Sequence, residues 1–75
     1  MITTMTGLQQ NKLNEQVTTI CYGNKTKRTR RAALEFYYIA MKNSEGSEHE
    51  RYETIFFQLL EGRMTASDEI PMWQL

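Results

Sequence analysis

Cysteine occurs once in these 75 residues, at Cys21, and proline once, at Pro71. A single thiol excludes an internal disulfide. With only one histidine beside it, a zinc site would have to be completed by carboxylates, so neither a metal nor any other cofactor is expected. Net charge is also missing: nine basic residues cancel nine acidic ones, which removes the global field that draws a chain to nucleic acid or to an anionic membrane. No apolar run approaches the ~20 residues that a membrane span requires. The opening stretch MITTMTGLQQNKLNEQ has neither a basic start nor an apolar core, so it does not read as a secretory signal. A soluble chain in the reducing cytoplasm, away from membranes, is the expectation. The four glycines are isolated from one another, and no glycine-rich phosphate loop is present.

Hydrophobic residues make up 40% of the chain and aromatics 11%, too much for a fully disordered polypeptide and enough for one small domain. Charge is unevenly spread. Residues 1–34 hold six basic side chains and one acid, whereas residues 35–75 hold eight acids and three basic side chains. Such asymmetry points either to an internal match or to two faces with different partners.

Residues 1–16 are polar and aperiodic, and they read as a flexible N-terminal arm with a short ordered end. Val17, Thr18, Thr19, Ile20 and Tyr22 suit a pleated surface, so a strand is expected over residues 17–22. Gly23-Asn24 offers a two-residue hairpin loop, with residues 25–29 returning as a polar edge strand. Thr29 is placed to cap a helix over residues 30–43. Its broad apolar face carries Ala33, Phe36, Tyr37 and Ala40, with Leu34, Tyr38 and Met41 alongside. Arg30 and Arg31 oppose the dipole in its first turn, and packing of the aromatic face is the expected source of compensation.

The stretch SEGSEHERYETIFFQLLEGR, residues 44–63, is sharply punctuated. Gly46 ends the first helix, Ser47-x-x-Glu50 has the form of a capping box, and Gly62 closes a second helix over residues 47–61. Tyr52, Ile55, Phe56, Leu59 and Leu60 recur at i, i+3, i+4, i+7 and i+8, a one-sided apolar stripe. A helix this short does not persist alone in water, so the stripe must be covered. The short break predicts an antiparallel helical hairpin, and residues 64–67 supply a further strand beside residues 17–22. The expected fold class is α+β: the hairpin with one to three short N- and C-terminal strands. It forms a single domain over residues 17–69, followed by an apolar tail at 70–75.

The elements EFYY (35–38), SEGSEHERY (44–52) and LLEG with the later Ser67-Asp68 resemble a group of small, uncharacterised bacterial proteins. That group is associated with Gram-positive bacteria and mobile elements. The resemblance covers about half the chain and implies a bacterial, cytoplasmic origin. It implies no activity.

The run KTKRTRR places Lys25, Lys27, Arg28, Arg30 and Arg31 within seven residues, a set able to bind phosphate. A solvated junction, or a match for the chain's own acids, is the blander interpretation. A helix-turn-helix is disfavoured because Glu48, Glu50, Glu53 and Glu61 on the second helix would repel the groove. His49 among glutamates reads as a solvated face, Cys21 as a buried, inert thiol in a strand, and Glu35 with Glu53 as surface acids. No catalytic residue is assigned. Eight aromatics are many for so small a core, so either some form an exposed protein interface at Tyr37, Tyr38, Phe57 and Trp73 or the N-terminal arm or C-terminal tail covers them. The functional expectation is a non-enzymatic accessory protein acting through a protein partner or a homodimer. A nucleic-acid-binding factor using residues 25–31 is the alternative.

Overall fold

The computed structural model describes residues 10–69. They form α1 (Gln10–Leu13), β1 (Gln16–Cys21), β2 (Asn24–Thr29), α2 (Arg30–Lys42), α3 (Gly46–Leu60) and β3 (Thr65–Ser67). Four β-branched residues in a row, Val17 to Ile20, keep β1 extended and make it the centre of a three-stranded sheet of order β2-β1-β3. β2 runs antiparallel to β1, and β3 runs parallel to it. The turn between β1 and β2 consists of Tyr22 and Gly23, with φ of 54° and 80°. Positive φ at both positions is what a tight type I′ loop demands. The loop therefore lies one residue earlier than Gly23-Asn24, because Asn24 pairs directly with Cys21 as the first residue of β2.

Alternation along β1 turns Val17 and Thr19 into the core, where Ala66 of β3 joins them. Ala33 and Tyr37 of α2, with Ile55 and Leu59 of α3, complete that core. α2 lies over β1 and β2, and α3 over β3. The result is a mixed α and β fold with two long helices and a three-stranded sheet, and no described helix is long and apolar enough to cross a membrane.

Helix boundaries follow from local chemistry. The Thr29 hydroxyl accepts from the Ala32 amide at 3.2 Å, as a cap should. α3 begins at Gly46 with Glu45 as its cap residue, so Ser47 already lies inside the first turn and the expected capping box is not made. The loop closes the other helix instead. The Ser44 hydroxyl donates to the carbonyls of Ala40 and Met41, and His49 Nδ1 meets the Met41 carbonyl at 2.9 Å. At the end of α3, Gly62 (φ 93°) lets its own amide reach Leu59 and that of Arg63 reach Gln58, the paired bonds of a Schellman motif.

Arg30 has no exposed surface. Its Nη1 donates to the carbonyls of Leu59 (3.0 Å) and Arg63 (2.8 Å), and its Nη2 to Gly62 (3.2 Å) and to Glu15 Oε1 (2.8 Å). Nε reaches the Lys12 carbonyl at 3.3 Å, while the Arg30 amide donates to the Glu15 carbonyl at 2.8 Å. Arg30 therefore opposes the dipole of α2 but sits on the carboxyl end of α3, where positive charge is favoured. The same contacts bind residues 12–15 to the domain, so the arm expected over residues 1–16 gives way to structure from Gln10 onward. Residues 1–9, and the tail at 70–75, lie outside the described residues.

Arg30→Met keeps most of the volume but strips the donors from these carbonyls and leaves Glu15 unpaired. Each buried carbonyl left without its donor costs about 1–3 kcal/mol, which together is a large share of the ~5–15 kcal/mol that holds a small domain. Urea unfolding should show that loss, while Arg31→Ala, one residue away and exposed, should stay within about 0.5 kcal/mol of the parent.

Candidate functional site

The residues singled out as chemically active fall into three places. The first is the outer surface of the helix pair. Tyr38 and Phe57 are 48% and 50% exposed. Phe56 lies between them, its ring centroid 6.0 Å from Tyr38 and 5.7 Å from Phe57. Lys42 Nζ stands 5.4 Å from the Tyr38 ring centroid. An apolar surface carried by three adjoining rings, with Leu34 and Leu60 half-buried nearby in sequence, is the kind of patch that contacts other proteins. Tyr37 does not belong to it. That side chain is only 3% exposed, because it fills the core between Phe36 and Tyr52 at centroid distances of 4.9 Å and 6.0 Å. Trp73 lies outside the described residues.

The second place is the basic run, which the fold divides. Arg30 is withdrawn into the interior and cannot grip phosphate, since carbonyls and Glu15 occupy its donors. Lys25 and Lys27 are exposed on β2 and project from the face opposite Arg28, whose guanidinium covers the Phe36 ring at 4.4 Å. Arg31 is exposed in the first turn of α2.

The third place lies under the β1–β2 turn. The Asp68 carboxylate is fully buried, its Oδ2 accepting from the Tyr22 amide (3.0 Å) and from Arg51 Nη1 (2.9 Å). Arg51 stacks on the Tyr22 ring at 4.7 Å, and the Tyr22 hydroxyl donates to Glu48 at 3.2 Å. These contacts hold Tyr22 at a positive φ that an aromatic residue adopts only at a cost. Asp68 Oδ1 is buried without a hydrogen-bond partner among the described residues. Cys21 is beside it. Burial first, and then the Asp68 charge, push the thiol up to about 11, so it stays protonated at neutral pH and is a poor nucleophile. His49 is not a solvated side chain but half-buried, bonded to the end of α2. Among the described residues, no group of three His, Cys, Asp or Glu side chains is arranged to hold a metal ion.

Gln58 was not legible as a structural polar group. It is buried, its amide Nε2 donating to the Ser67 carbonyl at 2.7 Å and its Oε1 accepting from the Ser67 amide at 3.0 Å. The signal was its place three residues after Ile55 on the apolar stripe. Comparison with known proteins adds nothing to these features: no family model, curated protein or solved structure matches the chain.

Glu15 gives a pH-dependent test of the Arg30 contacts. The hydrogen bond from Arg30 holds its carboxyl below the ordinary value of 4.5. A depressed folded value means the contribution is complete above 4.5 and is lost as pH falls through the folded value. Thermal unfolding followed across the acid range should show Glu15→Gln less stable than the parent at neutral pH, with the gap closing as the solution is acidified.

Proposed function

We propose that this chain is a non-catalytic accessory protein that acts by protein–protein contact, with self-association through the outer face of α2 and α3 as its primary mode. The observation that carries this reading is the continuous Tyr38–Phe56–Phe57 surface, whose two outer rings are each about half exposed. The two helices are read as an antiparallel hairpin. Arg30 meets Leu59, Tyr37 meets Tyr52 and Met41 meets His49, so positions rise along α2 as they fall along α3. A flat two-helix surface of this kind suits an isologous dimer, in which each aromatic patch packs on its own copy. A bacterial, mobile-element origin and a cytoplasmic setting belong to the same proposal.

Contact with nucleic acid through residues 25–31 is the second reading. In its favour, Lys25, Lys27 and Arg31 are exposed and meet no carboxylate at ion-pair distance among the described residues. Against it stand the burial of Arg30 and the placement of the remaining cations on opposite faces of β2.

Sedimentation separates the two. The parent chain should sediment as a dimer at micromolar concentration, and Phe57→Ser should return it to monomer with an unchanged circular dichroism spectrum. A monomeric parent removes the self-association proposal. Binding to generic DNA that weakens steeply with salt, and that Lys25→Glu with Lys27→Glu abolishes, would establish the second reading in its place.

A further inference from the structure

The sheet ends in two edges, and the chain treats them differently. On β3, the side-chain amide of Gln58 takes both main-chain groups of Ser67, covering that edge at this position as a neighbouring strand would. Among the described residues, β2 has no such cover. Its register pairs Cys21 with Asn24, Thr19 with Thr26 and Val17 with Arg28, and the Arg30 amide continues the ladder onto the Glu15 carbonyl. In an antiparallel pair with a two-residue loop, those positions turn their amide and carbonyl groups toward β1. The amides and carbonyls of Lys25 and Lys27, and the amide of Thr29, therefore point outward, and they have no partner among the described residues.

Two side-chain surfaces flank this edge. On one face of β2 stand Lys25 and Lys27, both exposed. On the other, α2 lies over β1 and β2 and presents Phe36 and Ile39, 47% and 57% exposed, with Arg28 stacked on Phe36. Three ion pairs join described residues, and they engage Arg30, Arg51 and Arg63, not the β2 cations.

We propose that the free edge of β2 is a docking strand for an extended peptide in which acidic and apolar residues alternate. The peptide adds a fourth strand through the main-chain groups of Lys25, Lys27 and Thr29. Its carboxylates face the two lysines, and its apolar side chains, on the opposite face, meet Phe36 and Ile39. A second copy of β2 is a poor occupant, because it would set lysine beside lysine across the new ladder. Nucleic acid is a poorer occupant, since phosphate could accept from the outward amides but would leave the carbonyls of Lys25 and Lys27 without donors, whereas a peptide strand satisfies both. This surface is separate from the Tyr38–Phe57 face, and the inference does not rest on self-association there.

The test adds a short synthetic peptide of alternating glutamate and valine to the full, isotope-labelled chain, beside a lysine–valine peptide and a single-stranded oligonucleotide. The glutamate peptide is expected to bind and to slow hydrogen exchange at the Lys25 and Lys27 amides, which the lysine peptide does not do. Lys25→Glu with Lys27→Glu, folded as judged by circular dichroism, should lose about tenfold in affinity for the glutamate peptide and gain affinity for the lysine peptide. That factor corresponds to two cross-strand charge pairs changed from attraction to repulsion. Unprotected Lys25 and Lys27 amides at saturating glutamate peptide would overturn the proposal. So would equal binding of both peptides, or binding of the oligonucleotide alone. Sedimentation of the same samples reports self-association independently.

Discussion

The fold is organised around one buried cation. Arg30 places its guanidinium where three separate parts of the chain converge: the Lys12 carbonyl and Glu15 before β1, the carbonyls ending α3, and the segment leading into β3. A charge taken wholly out of water is costly unless its donors are met, so a partial arrangement is worse than none. That condition fixes several distances together. α2 must start beside the end of α3, and the chain before β1 must fold back across both. The positive charge also lies where the α3 carbonyls concentrate negative potential, and this offsets its unfavourable place at the start of α2. Apolar burial alone would leave those relative positions looser, since the core consists of only six fully buried apolar side chains among the described residues.

Much of the architecture was legible because its signals are local. A β-branched run, a threonine before a helix, a stripe at helical spacing and a glycine after it each report on a few neighbouring residues. The helices at Arg30–Lys42 and Gly46–Leu60, the strand at β1 and the short β3 beside it follow from such signals. What escaped depended on direction or on distant partners. Arg28, Arg30 and Arg31 look alike as a charge run, yet Arg30 alone shares a helix face with Ala33 and Tyr37, at i, i+3 and i+7. That spacing marked it as inward-pointing, but only the carbonyls of residues 59–63, far along the chain, make an inward arginine tolerable. Tyr37 was misplaced on the surface for the same reason: four apolar residues in a row, Phe36 to Ile39, give no hint that Tyr37 alone is buried. The hairpin loop shifted by one residue because Tyr22 accepts a left-handed backbone that its type disfavours, held there by Asp68 and Arg51.

The chain's uneven charge therefore resolves into different roles. One basic residue becomes structural, Arg51 is paired with Asp68 under the turn, and the lysines of β2 are exposed and form no ion pair among the described residues. No acid of α3 makes an ion pair with those lysines among the described residues; Glu48 accepts from the Tyr22 hydroxyl instead. Among the described residues, the surface carries half-exposed aromatic rings on the helices and exposed lysines on β2. The Cys21 thiol is held protonated, and Asp68 Oδ2 is engaged by Arg51.

The most direct test of this account is nuclear magnetic resonance of the Arg30 side chain. With its guanidinium fixed by five oxygen acceptors and shielded from water, Arg30 should give separately resolved Nη protons that exchange slowly with solvent, unlike those of Arg31. A single averaged, rapidly exchanging Arg30 signal would mean that the guanidinium rotates in water, and the convergence of the three chain segments on it would be wrong.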